Sequence, residues 1–274
     1  MTNLLPNQRA SADLVIASHI ALGLPYPLLT NASMPEADVI ADIQSKKIAD
    51  KQVQYDINLT ASFLVVPQTP QNISMAFALP SSLMGSYTNV MSSDAAVEVN
   101  ETEIDFVRMG WHQINASYKL NTTEWSWAEG IECLVFNATL EESTPTQICV
   151  TTNTIITSSA TVFYYHYYVG TARTWSGDTH ETVTMAVDDQ AGFLSHHFSP
   201  SQNLTTTDEE AIVTGAWEFN ISGFDYDYVG FEVQHWEYSK GGPPPDPFIM
   251  YPIYLGLGVL VTILLYKAIQ RYYA

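Results

Sequence analysis

In the stretch VQYDINLTASFLVV, Val53, Tyr55, Ile57, Leu59, Ala61, Phe63 and Val65 alternate with Gln54, Asp56, Asn58, Thr60 and Ser62. A period of two puts the first set on one face of a β-strand and the second on the other. The pattern predicts a half-buried strand with a polar outer face. It returns after the turn PQTPQ, where Ile73, Met75, Phe77 and Leu79 oppose Asn72. In WHQINASYKL, Ile114, Ala116, Tyr118 and Leu120 oppose Asn115, which predicts a strand there too. In AIVTGAWEFNIS, Val213, Trp217, Phe219 and Ile221 oppose Asn220. Further strands are expected near 95–100, 103–109, 131–139, 147–157, 160–169, 181–187 and 226–238, separated by turn signals such as SGD, SPSQN and SGFD. Many short strands without helical interludes predict a mainly β fold, a single antiparallel β-sandwich or jelly-roll-like domain.

A different pattern precedes these strands. Ser33 and Glu36 have capping-box spacing, Pro35 suits a first helical turn, and Val39, Ile40, Ile43 and Lys47 recur at helical spacing. The spacing predicts a helix over 35–50. Upstream, Leu14 to Leu24 is a short apolar run closed by Pro25 and Pro27. Its length matches a signal-type core, an uncleaved anchor or a packed helix, and the residues leave all three open.

At the other end, Phe248 to Tyr266 is 19 residues without a charge. That is close to the length a bilayer core requires. Tyr251, Tyr254 and Tyr266 fall near its ends, and Lys267 and Arg271 follow, which places the short tail inside and the bulk outside. GGPPPDP (241–247) before it reads as a semi-rigid spacer. The expected organisation is an apolar and helical segment at 1–50, a β-rich ectodomain at 51–240, the spacer at 241–247, a transmembrane helix at 248–266 and a basic inner tail at 267–274.

Composition narrows the partners. The 10 basic residues against 29 acidic ones give a net charge of −19. Between Gln52 and Ser239 the basic residues are Arg108, Lys119 and Arg173. Phosphate backbones need clustered Lys and Arg, so nucleic acid is excluded as a partner. Charged residues are only 14% of the chain, and the surface must rely on Thr, Ser, Asn, Gln and Tyr.

Asn-X-Ser/Thr triplets begin at Asn31, Asn58, Asn72, Asn100, Asn115, Asn121, Asn137, Asn203 and Asn220, nine of the 13 asparagines. Chance placement among the chain's serines and threonines predicts about two. All nine precede the C-terminal apolar run, and the four in strand patterns fall on the polar face. The excess predicts a glycosylated, exported domain.

The two cysteines, Cys133 and Cys149, flank the acidic turn LEESTP. If the flanking strands form a hairpin, the cysteines face each other, and an export compartment allows a disulfide. The expectation is a Cys133–Cys149 bridge.

Catalytic signals are weak. The chain has no Gly-X-Ser-X-Gly elbow and no phosphate-binding glycine loop. GDTHET and FLSHHF offer Asp178, His180, Glu181, His196 and His197 as ligands, but no spacing matches a zinc or copper signature. Glu129 with Glu132, or Asp188 with Asp189, are the carboxylate pairs a glycosidase would need. The reading is therefore of a protein that is not an enzyme and holds no cofactor or metal.

TVFYYHYYVG departs from the other strands. Phe163, Tyr165, Tyr167 and Val169 share one face, and Val162, Tyr164, His166 and Tyr168 the other. Neither face is polar. Either the strand is covered on both sides, or the face of Tyr164, His166 and Tyr168 meets a partner, protein or sugar. The residues together predict a membrane-anchored surface glycoprotein with a structural or recognition role: a cell-envelope component, a virion surface protein or an accessory subunit of a membrane complex. Its partners would be membrane lipid through the C-terminal helix, and other subunits or copies of itself. A lectin-like ectodomain and a jelly-roll polysaccharide hydrolase are the alternatives.

Overall fold

The computed structural model describes residues 17–23, 26–29, 32–79, 81–82, 88–118, 131–209 and 211–236. Among the described residues, seventeen strands and few helices make the fold mainly β. In chain order the strands are β1 (Ala17–Gly23), β2 (Tyr26–Leu29), β3 (Ala32–Ala49), β4 (Gln52–Pro67), β5 (Gln71–Ala78), β6 (Ser81–Ser82), β7 (Thr88–Val99), β8 (Thr102–Glu103), β9 (Phe106–Gly110), β10 (Glu132–Leu140), β11 (Thr146–Ser158), β12 (Val162–Tyr168), β13 (His180–Asp188), β14 (Ser195–Ser199), β15 (Leu204–Glu209), β16 (Ile212–Asn220) and β17 (Tyr228–Gln234). One α-helix, α1 (Trp111–Tyr118), lies between β9 and β10.

The strands form three sheets, all within the compact unit Ile16–Glu237. Eight run in the order β15-β16-β13-β3-β4-β11-β7-β8, five in the order β14-β17-β12-β1-β6, and four in the order β2-β5-β10-β9. The pairings are antiparallel except β1 with β12 and β3 with β13. One core cluster joins the inner faces of all three sheets. Tyr55 of the eight-stranded sheet stacks on Phe163 of the five-stranded one, with centroids 4.0 Å apart. Phe63 meets Phe77 of the four-stranded sheet at 6.2 Å. The eight-stranded sheet thus faces the two smaller ones across a single core.

The period-two reading of β4 holds at every position: Val53, Tyr55, Ile57, Leu59, Ala61, Phe63 and Val65 are all buried. Ile73, Met75 and Phe77 are buried on β5, with Leu79 just beyond, and Val213, Trp217 and Phe219 on β16, with Ile221 just beyond. Three readings need correction. Residues 35–50 form no helix: 35–49 belong to β3 and Asp50 to the turn after it, and the register of β3 with β4 runs from Ala32 opposite Pro67 to Ala49 opposite Gln52. Burial alternates along it, with Ala37, Val39, Ala41, Ile43 and Ser45 inward. The N-terminal segment holds strands instead of a helix, because residues 17–23 form β1, parallel to β12. Residues 111–118 are a helix instead of a strand. Trp111 and Ile114, three apart, bury one side of it over Cys133 and Val135 in a small second cluster. Among the described residues no helix is long and apolar enough to cross a membrane, and the apolar run 248–266 lies outside them.

Candidate functional site

The tyrosine-rich strand sits inside the five-stranded sheet, between β17 and β1. Its two faces differ. Phe163, Tyr165 and Tyr167 point into the core and are fully buried. Tyr164, His166 and Tyr168 point outward and are half-buried. Register aligns them with Glu232, Gly230 and Tyr228 of β17. Beyond β17, the edge strand β14 adds His197 opposite Glu232 and Ser199 opposite Gly230.

The outward side chains form a ladder. Tyr164 lies 5.9 Å from His166, ring centre to ring centre. His166 stacks on Tyr228 at 4.3 Å, and Tyr228 meets Tyr168 at 6.0 Å. The ladder needs Gly230: a Cβ there would come within 2.6 Å of the His166 ring and 2.2 Å of the Tyr165 carbonyl oxygen. Burial pushes the Tyr168 phenol up to about 12, and neighbouring Tyr228 and Asp227 add to it. Such a face offers rings for stacking and polar tips for hydrogen bonds.

The sequons lie elsewhere. Asn58, Asn72, Asn100, Asn137, Asn203 and Asn220 are exposed. Five belong to strands or turns of the eight- and four-stranded sheets, and Asn203 lies in the connection from β14 of the five-stranded sheet to β15 of the eight-stranded one. Asn72 and Asn137 face each other's sequon hydroxyls across β5 and β10: Thr139 donates to Asn72 at 2.8 Å, and Ser74 donates to Asn137 at 2.5 Å. Asn203 donates to the Glu218 carbonyl at 2.9 Å. Asn115 lies in α1, and Asn31 and Asn121 lie outside the described residues.

The disulfide expectation is overturned. Cys133 and Cys149 are both free thiols. Their strands do not form a hairpin. Cys133 on β10 lies opposite Ala78 and Met109 in the four-stranded sheet. Cys149 on β11 lies opposite Ser62 and Glu98 in the eight-stranded sheet. The turn between them carries the chain from one sheet to another. Burial and adjacent Glu132 push the Cys133 thiol up to about 12. Burial and Glu98 raise Cys149 as well.

The candidate ligands and acids are dispersed. His180 and Glu181 are neighbours on β13, so they face opposite sides of the sheet. His180 meets Asn220 at 3.2 Å outside, while Glu181 is fully buried. Asp178 accepts from the backbone N–H and the hydroxyl of Ser222. His196 and His197 are exposed on β14 in the other layer. Among the described residues no three His, Cys, Asp or Glu side chains converge on a metal-sized site. Glu132 pairs with Arg108 at 3.3 Å. Asp189 accepts from the backbone of Gly192 and Phe193 and so shapes its own loop, and Gln190 donates to Asp188. Glu129 lies outside the described residues.

One buried pair escaped the sequence reading. Tyr55 and His235 share a hydrogen bond of 2.5 Å, with Phe193 set edge-on to the imidazole at 5.5 Å. Burial lowers the His235 pKa to about 4 and raises Tyr55 well above its usual range. Tyr55 showed only as an inward position, and nothing local linked it to a residue 180 positions away.

No known protein family matches the sequence, and no curated protein does. Solved structures resemble the fold. A protein from Legionella pneumophila, described provisionally as nutrient-binding, aligns with a TM-score of 0.53 and 15% identity over 80% of this chain and 72% of that one. An M1 zinc metallopeptidase from Deinococcus radiodurans aligns at 0.36 and 11% identity, over 75% of this chain. This chain spans 42% of that peptidase, and the likeness carries no argument about chemistry.

Proposed function

We propose that this chain is a membrane-anchored surface glycoprotein whose β-rich domain stands outside the membrane in a structural or recognition role. The observation that carries the reading is the sequon set: nine triplets where about two are expected, with all six of the described sequon asparagines outside α1 exposed. The uncharged run 248–266 and the basic residues after it supply the anchor and its orientation. The layered β fold supports an ectodomain of sandwich type. Tyr164, His166 and Tyr168 form the face proposed to meet another subunit or a second copy. A sugar stacked on the same rings is the second reading, favoured by the ladder with Glu232 and His197 beside it.

Expression through a secretory pathway tests the proposal. Treatment with a glycan-removing amidase should shorten the protein by several glycans, and the protein should stay with membranes after alkaline extraction. Truncation before Phe248 should release it. Fewer than three occupied sequons, or release of the full chain by alkali, would refute the proposal.

A further inference from the structure

The inner face of β12 presents a chemical problem. Tyr165 and Tyr167 are fully buried, and so is Glu181 on β13 across the core. Thr171, in the 3-10 turn Gly170–Thr174 that follows β12, is buried as well. Among the described residues, the two phenol oxygens, the Thr171 hydroxyl and both carboxyl oxygens of Glu181 meet no hydrogen-bond partner. Buried polar groups are nearly always satisfied, and one orphan costs about 1–3 kcal/mol. Here five such atoms belong to buried residues of β12, of the turn that follows it and of β13. The Glu181 charge and Tyr165 both bear on the ionisation of Tyr167, so these three groups lie near one another.

Among the described residues no cation pairs directly with the carboxyl. The strands flanking Glu181 offer Ala37 of β3 and Phe219 of β16. β12 offers the two phenols. The turn offers Arg173, whose guanidinium is committed elsewhere: to the Asp227 carboxylate, to the Phe224 carbonyl at 2.7 Å and to the Tyr226 carbonyl at 2.9 Å. An isolated buried carboxylate is so costly that the group takes up a proton instead. Burial raises the Glu181 pKa well above the usual carboxylate range, and Arg173 opposes the rise only in part. A neutral carboxyl still has a proton to donate and an oxygen to satisfy. Three hydroxyls and a carboxyl supply the two to four polar partners that an internal water requires.

We propose that Glu181, Tyr165, Tyr167 and Thr171 form a buried proton-and-water site, in which the carboxyl is held neutral and ordered water bridges it to the three hydroxyls. The ligand class is water, and the site makes the domain acid-tolerant. The sign follows from linkage. A carboxyl whose pKa is higher folded than unfolded binds more protons in the folded state. Its contribution is full below the unfolded carboxyl pKa and is lost as pH rises toward the folded value.

The test uses the full chain in mild detergent, with thermal unfolding followed from acid to alkaline pH in wild type, Glu181→Gln and Tyr167→Phe. Glutamine keeps the shape and cannot ionise. The wild-type midpoint, relative to Glu181→Gln, should fall by roughly 3–5 °C per pH unit once pH exceeds the ordinary carboxyl range. Parallel profiles for the two proteins would overturn the neutral carboxyl. Tyr167→Phe removes one hydroxyl without changing shape. If that hydroxyl is bridged by water, the variant unfolds several degrees lower. A variant that unfolds higher, as expected for deletion of an orphan, would overturn the bridge.

Discussion

At the residue scale, the structure turns on a few positions where one atom decides the outcome. Gly230 is the sharpest. Its missing Cβ leaves room for the His166 ring and the Tyr165 carbonyl. Gly230→Ala should therefore cost at least about 3 kcal/mol, because a backbone carbonyl cannot move aside as a side chain can. Gly223 has open space around its Cβ position, so Gly223→Ala should stay within about 0.5 kcal/mol. Chemical denaturation of the two variants checks both expectations. His235 yields a pH prediction of opposite sign to that of Glu181. Its folded pKa, about 4, lies below the unfolded value near 6.5, so its contribution is full above about pH 6.5 and is lost as pH falls toward 4. His235→Gln should flatten the acid side of the stability profile, measured as unfolding midpoint against pH. Sequence reasoning placed Glu181 among possible metal ligands beside His180. Alternation on a strand already forbids two neighbours from sharing a site. What local pattern could not reveal is that the Glu181 face is the interior.

At the element scale, legibility depends on how loudly the buried residues speak. β4 is legible because its inward set is large: Tyr55, Ile57, Leu59, Phe63. β3 was masked because its inward set includes Ala37, Ala41 and Ser45, while Ile40 stands 43% exposed on the outside. Small residues inside and an apolar one outside blur period two into something near 3.6. Ser33, Pro35 and Glu36 then imitated a helix start, although the Ser33 hydroxyl donates to the Val66 carbonyl across the sheet. The converse error befell α1, where eight residues with Ile114 central fit either period. The supposed 133–149 hairpin failed for a non-local reason. Both strands prefer other neighbours, β5 and β9 for β10, β4 and β7 for β11. No window of sequence shows that competition. The correction makes a chemical prediction: both thiols should alkylate in denaturant without prior reduction. In the native protein Cys149, half-buried, should label first, and Cys133, beneath α1, should resist. Ile114→Ala should loosen α1 at a cost of about 2–4 kcal/mol and bring Cys133 into reach of the reagent. Mass spectrometry of a labelling time course resolves the two sites. Unchanged Cys133 protection in the variant would show that α1 is not its cover.

At the scale of the whole molecule, the distribution of sequons and aromatics is one fact seen from two sides. The eight- and four-stranded sheets carry Asn58, Asn72, Asn100, Asn137 and Asn220 in their strands and turns, and Asn203 immediately precedes β15. The strands of the five-stranded sheet carry no sequon, and their outer side bears the Tyr164, His166, Tyr168 and Tyr228 ladder instead. Glycan and docking surface exclude each other by bulk, so an ectodomain that meets a partner keeps one side bare. β17 ends at Gln234, 14 residues before the apolar run begins at Phe248. A glycan placed on the bare side should discriminate. Glu232→Asn with Gln234→Thr creates an acceptor opposite Tyr164, on a half-buried outward position of β17. If the ladder is an interface, the glycosylated variant folds, reaches the surface and runs as a smaller particle in detergent than wild type. The same particle size with the new glycan attached would leave the ladder as a surface feature of a single subunit.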